Sequence, residues 1–219
     1  MKIIILILSN DSGHYLECQN MWRSYMNTHP NIKSYFIKFD PQLTSNILVD
    51  NNTILINGNE SLIPGCLVKT LKSINYVLKN EDFDFIFRTN MSSVVDLHKL
   101  YNFVINNKND YSGVIGYHNN IKFASGAGIL LSKQICSNLI TYRNLLNYNL
   151  IDDLSIGLLF QSNNVSISPL TRFEAYNYEN NVNQITKEMI KDYYHFRCKS
   201  DTDNNKTLLL MKKIIDLIY

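Results

Sequence analysis

A chain of 219 residues, 45% hydrophobic and 18% charged, can bury one core and is not a disordered composition. Its 21 Lys and Arg nearly balance 19 Asp and Glu, for a net charge of +2 with no long basic run. That excludes a general nucleic-acid binder and leaves room for a compact phosphorylated ligand. Cys18, Cys66, Cys136 and Cys198 are far apart and lack CxxC spacing, which argues against a zinc knuckle and for reduced thiols in a reducing compartment, the cytoplasm.

The apolar run at residues 3–8 is too short to span a bilayer, and no small-residue cleavage site follows it. No other segment reads as transmembrane. Residues 2–8 read as a buried strand, stopped by Ser9-Asn10-Asp11. Leu16, Met21, Trp22 and Tyr25 predict a helix over 13–27. Strands are expected at 33–39 and 53–56, ending at Asp40-Pro41 and Asn57-Gly58. Leu67, Leu71, Ile74 and Leu78 predict a helix over 67–78. A strand at 83–87, a helix at 94–105 and strands at 113–117 and 127–131 follow. Helices at 133–145 and 153–160, strands at 165–167 and 192–199 and a closing helix at 206–218 complete the pattern. The alternation predicts one α/β domain over residues 1–219, a Rossmann-type α/β/α sandwich with a mostly parallel central sheet. Ligands of such sheets lie beyond the carboxyl ends of the strands, which points to residues 9–14 and 88–93.

Four clusters are candidates for chemistry. Arg88-Thr89-Asn90-Met91-Ser92-Ser93 ends an apolar strand in a cation and small polar groups. Ser92 or Ser93 is also a candidate helix cap, but capping leaves Arg88 beside Asn90 unexplained. Ser125-Gly126-Ala127-Gly128 reads equally as a tight turn or a binding loop before a buried strand. Asp152-Asp153 starts a helix; acids there either favour the helix terminus or supply a general base. His195, Arg197 and Lys199 share one face of an extended segment, suited to a diphosphate or to a solvated edge.

In this order the clusters resemble the GT-A-fold glycosyltransferases, especially the small enzymes of large DNA viruses of algae and amoebae. More distantly they are similar to the fringe and β1,3-galactosyltransferase group. The resemblance covers residues 2–199. It aligns Arg88-Thr89-Asn90-Met91-Ser92 with a Lys-Thr-Asp-Asp-Asp-like metal and diphosphate motif, and Ser125-Gly126-Ala127-Gly128, followed by Ser132, with a Ser-Gly-Gly-Gly-like turn. It aligns Asp152-Asp153-Leu154-Ser155-Ile156-Gly157 with a Glu-Asp-Val-x-x-Gly segment, so that Asp153 takes the base position, and Val68-Lys69-Thr70 with a Leu-Lys-Thr helix start.

The resemblance implies inverting transfer from a nucleoside-diphosphate sugar, UDP-linked, to a glycan or glycoprotein acceptor, in the host cytoplasm for a viral enzyme. Asp153 is the expected base, with Asp152 beside it. Ser9, Asn10, His14, Lys69, Arg88, Thr89, Asn90, Ser92, Arg197 and Lys199 are the expected donor contacts. Asn90 and Ser92 stand where the family has metal-binding carboxylates, and neutral oxygens hold hard cations less well. Either Mn²⁺ or Mg²⁺ is bound weakly there, with His195 as a late ligand, or cationic side chains replace the metal. The rival expectations are a nucleotide-sugar or glycan-binding protein of the same fold without catalysis, and another nucleotide-binding α/β enzyme such as a nucleotidyltransferase.

Overall fold

The computed structural model describes residues 1–219. The first strand, β1 (Ile3–Leu8), is apolar at every position and is the spine of an eight-stranded sheet. It pairs in parallel with β2 (Ile32–Asp40) on one side and with β5 (Phe85–Asn90) on the other. Helix α1 (Tyr15–Tyr25) makes the first crossover and buries Cys18, Trp22 and Tyr25. A hairpin of β3 (Ile47–Asp50) and β4 (Thr53–Asn57) extends the sheet past β2, with β4 parallel to β2. Its turn places Asn51 and Asn52 at positive φ, a conformation Asn tolerates better than most residues. Helix α2 (Gly65–Asn80) crosses back to β5, burying Leu67, Leu71, Ile74 and Val77 on one face.

Past β5 the sheet turns antiparallel through β8 (Ile121–Ser132) and β7 (Tyr111–His118), and a short β9 (Ser168–Pro169) closes the edge. The order is therefore β3-β4-β2-β1-β5-β8-β7-β9, parallel through its centre. Alternation along β1 sends Ile3, Ile5 and Ile7 into a core under α1, and Ile4 and Leu6 into a second core under α2. Helices α3 (Leu97–Asn106) and α7 (Asn204–Ile218) cover the first core. Helices α4 (Lys133–Thr141) and α5 (Asp152–Ser162) cover the second. A three-stranded sheet of β10 (Phe173–Glu174), β11 (His195–Arg197) and β6 (Ser93–Val95) lies beside β8. The single-turn helix α6 (Lys187–Ile190) lies between β10 and β11.

Several boundaries differ from the sequence reading. The helix expected over 94–105 starts at Leu97, because the β-branched pair Val94-Val95 pairs with β11 as a strand. Asp96, not Ser92 or Ser93, caps it, accepting the backbone N–H of Lys99. Ser125-Gly126-Ala127-Gly128 is neither turn nor loop but lies within β8, beside an irregularity in the β7–β8 register between Gly113 and Ile115. The expected strand at 165–167 falls at Ser168–Pro169, and the one at 192–199 narrows to His195–Arg197. The helix expected over 133–145 ends at Thr141, and Arg143–Leu145 forms a 3₁₀ turn. All four cysteines are free thiols, and no helix is long and apolar enough to cross a membrane.

Candidate active site

The carboxyl ends of β1 and β5, the start of α2, the middle of β8 and the amino end of α5 surround a cleft of about 650 Å³. Strand alternation decides which side chains reach it. On β5, Arg88 and Asn90 line the cleft, while Thr89 points the other way and donates its hydroxyl to the Ala127 carbonyl at 2.6 Å. Of the predicted residues, Ser9, Asn10, Lys69, Arg88, Asn90, Ser92, Ser125, Gly126, Ala127, Asp152, Asp153, Arg197 and Lys199 line this one cleft. Thr89, His14, Gly128 and His195 do not.

Asp152 and Asp153 are adjacent in sequence but differ in chemistry. Asp152 is buried and ion-paired with Arg88, whose guanidinium also donates to the Gly126 carbonyl. Arg88 therefore clamps α5 to β8 with its charge already balanced, rather than standing free for a diphosphate. Lys69 is likewise committed: its ammonium donates to the Ser9 carbonyl at 2.9 Å and to Glu60 at 2.6 Å. Asp153 has no cationic partner. It accepts the backbone N–H of Gly126 at 2.8 Å and that of Leu154 at 2.9 Å. Burial and the negative charge of Asp152 push its carboxyl above the usual value of 3.8. A Cβ at position 126 would lie 2.8 Å from Arg88 Nη1 and 3.1 Å from Asp153 Oδ2, so a larger residue there would displace the end of the guanidinium.

The remaining cations of the cleft are Arg197 and Lys199, at and just beyond the end of β11. Arg197 lies over the Tyr176 ring at 5.6 Å and holds no carboxylate, and Lys199 pairs at 3.7 Å with the exposed Asp201. His195 shares the strand but sits behind β8. Its ring meets the edge of Phe87 at 5.3 Å and fills the space a Cβ would take at Gly128. Burial, with Arg172 nearby, drives its pKa well below the ordinary 6.5. The expected late metal ligand is thus placed outside the cleft. His14 packs on Tyr15, and of the two only Tyr15 lines the cleft.

The donor atoms present do not suit a hard divalent cation. Asn90 Oδ1 accepts the hydroxyls of Ser92 at 3.3 Å and Ser93 at 2.9 Å, and the nearby acids Asp152 and Glu60 are held by Arg88 and Lys69. No three His, Cys, Asp or Glu side chains come together in metal-binding geometry.

Sequence reasoning missed Tyr15, Glu60, Ser61, Leu62, Cys66 and Ile151, which also line the cleft. Glu60 carried a faint signal, an acid in a polar loop just ahead of the helix bearing Lys69. It also missed Arg172, a buried guanidinium that grips Glu174 at 2.6 Å and reaches Ser125 Oγ at 3.3 Å.

Comparison of the fold with solved structures finds several that share it. A glycosyltransferase involved in the glycosylation of the major capsid of PBCV-1 superposes with a TM-score of 0.58 over 97% of this chain and 99% of that one, at 10% identity. The galactosyltransferase LgtC, solved with donor and acceptor sugar analogues, superposes with a TM-score of 0.51 over 97% and 95%, at 12% identity. The fold is that of the GT-A-type glycosyltransferases. The Streptococcus pneumoniae glycosyltransferase GlyE also shares it, with a TM-score of 0.51, 16% identity and coverage of 99% of this chain and 62% of that one. No protein-family model and no curated protein sequence matches the chain. On this GT-A scaffold the cleft lies at the carboxyl ends of the parallel strands, where an α/β sheet admits ligands.

Proposed function

We propose that the protein is a glycosyltransferase that moves a sugar from a nucleoside-diphosphate donor, UDP-linked, to a hydroxyl of a glycan or glycoprotein acceptor, with inversion. The observation that carries this reading is Asp153, a carboxylate of raised pKa with no ion pair, in the same cleft as Arg197, which holds no acid, and Lys199, whose one acid partner, Asp201, is exposed. Asp153 takes the proton of the acceptor hydroxyl. The acceptor oxygen bonds to the anomeric carbon from the side opposite the diphosphate. The bond from that carbon to the diphosphate oxygen breaks, and its electron pair leaves with the diphosphate. Arg197 and Lys199 face the charge that develops there. Arg88 and Asp152 act differently from the sequence expectation: their ion pair fixes β8 against α5 and so aims Asp153. In the absence of a suitable donor set, no step of this scheme runs through a metal.

The neutral pair Asn90 and Ser92 favours a second reading, a protein of this fold that binds a nucleotide sugar without transferring it. A panel of nucleotide sugars, followed by proton NMR of the anomeric signals, separates the two. Release of nucleoside diphosphate with a product of inverted anomeric configuration supports transfer as written. Binding without release supports the second reading, and a retained configuration removes Asp153 from the role of base in a single displacement.

A further inference from the structure

The small sheet has one apolar face and one polar face. Phe173 and Phe196 lie in the first core, so Glu174 and Arg197, the next residue along each strand, project from the opposite face. On that face His195 meets β8 and Arg197 reaches the cleft. Glu174 and Arg197 are partners in the parallel register of β10 and β11, on strands about 4.8 Å apart. A Glu and an Arg so placed would ordinarily pair across the strands. Here they do not. Arg172, just ahead of β10, takes the carboxylate instead: its Nε donates to Glu174 Oε1 at 2.9 Å, and its Nη2 donates to the same oxygen at 2.6 Å. The Arg172 side chain is buried, and its third contact is Ser125 Oγ on β8, at 3.3 Å. Glu174 Oε2 and Arg197 Nε are both left buried without a partner. His195 adds no charge at neutral pH, because burial and the two arginines hold its pKa well below 6.5. The face therefore holds one carboxylate for two guanidiniums, and that carboxylate is committed to one of them.

We propose that Arg172 is a positioning residue for the donor: by holding Glu174 it keeps that carboxylate off Arg197 and leaves the Arg197 guanidinium to the diphosphate. The inference rests on the transfer reading only in taking Arg197 as a diphosphate contact. An arginine paired with a carboxylate offers an anion fewer N–H donors and little net charge, which is the condition of Arg88 in the same cleft. Arg172 does not line the cleft, so it acts through Glu174 and Arg197 and not on the donor. Its contact with Ser125 ties this choice of partners to the docking of the small sheet on β8. Removing the Arg172 charge frees Glu174 to turn to Arg197, the neighbour whose Nε is unsatisfied.

The test is titration calorimetry of uridine diphosphate, with guanosine diphosphate beside it, against wild type, R172Q, R172Q/E174Q, R197Q and R172Q/R197Q, each checked for folding by circular dichroism. R172Q should bind about tenfold more weakly, R172Q/E174Q should return to within about twofold of wild type, and R172Q should cost little more in the R197Q background. A purely structural role for Arg172 predicts no rescue by E174Q, and a direct effect of its charge on the donor predicts additive losses with R197Q. Either result overturns the proposal and leaves the transfer reading standing, as does R172Q that binds as tightly as wild type. If R172Q does not fold, R172K and R172K/E174Q take its place. Lys lacks the fork that grips Glu174, so a loss of about threefold restored by E174Q is expected, and its absence overturns the proposal. Failure of the wild type to bind either diphosphate, or equal binding by R197Q, overturns the Arg197 contact itself and the proposal with it.

Discussion

Asp152 and Asp153 show how two identical side chains acquire different work from their surroundings. Asp153→Asn keeps the shape of the site but removes the proton acceptor, so transfer should fall about 10²–10⁴-fold while donor affinity barely moves. Its folded pKa is raised, so the proton is bound more tightly in the folded chain than in the unfolded one. That contribution to stability is present below 3.8 and is lost as pH rises through the folded value, so ionised Asp153 opposes folding at neutral pH. Asp153→Asn removes that penalty but also replaces one of the two oxygens that accept the Gly126 and Leu154 N–H groups, so the two effects oppose and the melting temperature at neutral pH should move little. In the wild type, transfer should decline on the acid side through a pKa above 3.8, which a pH–rate profile reads directly. Asp152→Asn should behave in the opposite way. It leaves Arg88 buried without its counter-charge, a loss of about 3–5 kcal/mol that a thermal melt detects. The sequence alone left Asp152 open between a helix-terminus acid and a companion of the base. The answer comes from Arg88, a partner 64 residues away that no local spacing reveals.

At the scale of elements, the long apolar strands and amphipathic helices were legible because their periodicity is local. β1, α2 and β5 fall within a few residues of where the pattern puts them. The small sheet was not legible. β6, β10 and β11 are two or three residues each, and their pairing is entirely between distant segments. This sheet nevertheless delivers Arg197 and Lys199 to the cleft, so its docking on β8 should govern donor binding. Gly128→Ala would push a Cβ into His195 and to within 3.1 Å of Phe87. We expect a stability loss of about 1–3 kcal/mol and a weaker donor affinity from that change. Replacing Arg197 or Lys199 by Ala should weaken nucleoside-diphosphate binding by roughly tenfold each, most strongly at low salt, without a comparable change in melting temperature. Titration calorimetry at two salt concentrations checks both.

For the molecule as a whole, the clusters singled out in the sequence converge on one cleft, but only Ser9, Asn10, Arg88 and Asn90 reach it on the ends of parallel strands; antiparallel β8, the start of α5 and the small sheet bring the others. The strand-end part was predictable from the α/β alternation, and the rest, with the distribution of charge within the cleft, was not. Arg88 and Lys69 read as free cations in the sequence, and in the fold both are spent on internal acids. The poor donor set at Asn90 and Ser92 predicts that mild chelation leaves most of the transfer activity intact. Complete loss that only Mn²⁺ or Mg²⁺ reverses would contradict that. The central claim is that Asp153 activates the acceptor in a working transferase. It is tested most directly by acceptor-dependent release of nucleoside diphosphate, measured for wild type and for folded Asp153→Asn at equal donor saturation. The account predicts release by the wild type and a drop of about 10²–10⁴-fold in the variant. Near-normal release by Asp153→Asn, or none by the wild type with any donor it binds, would contradict it.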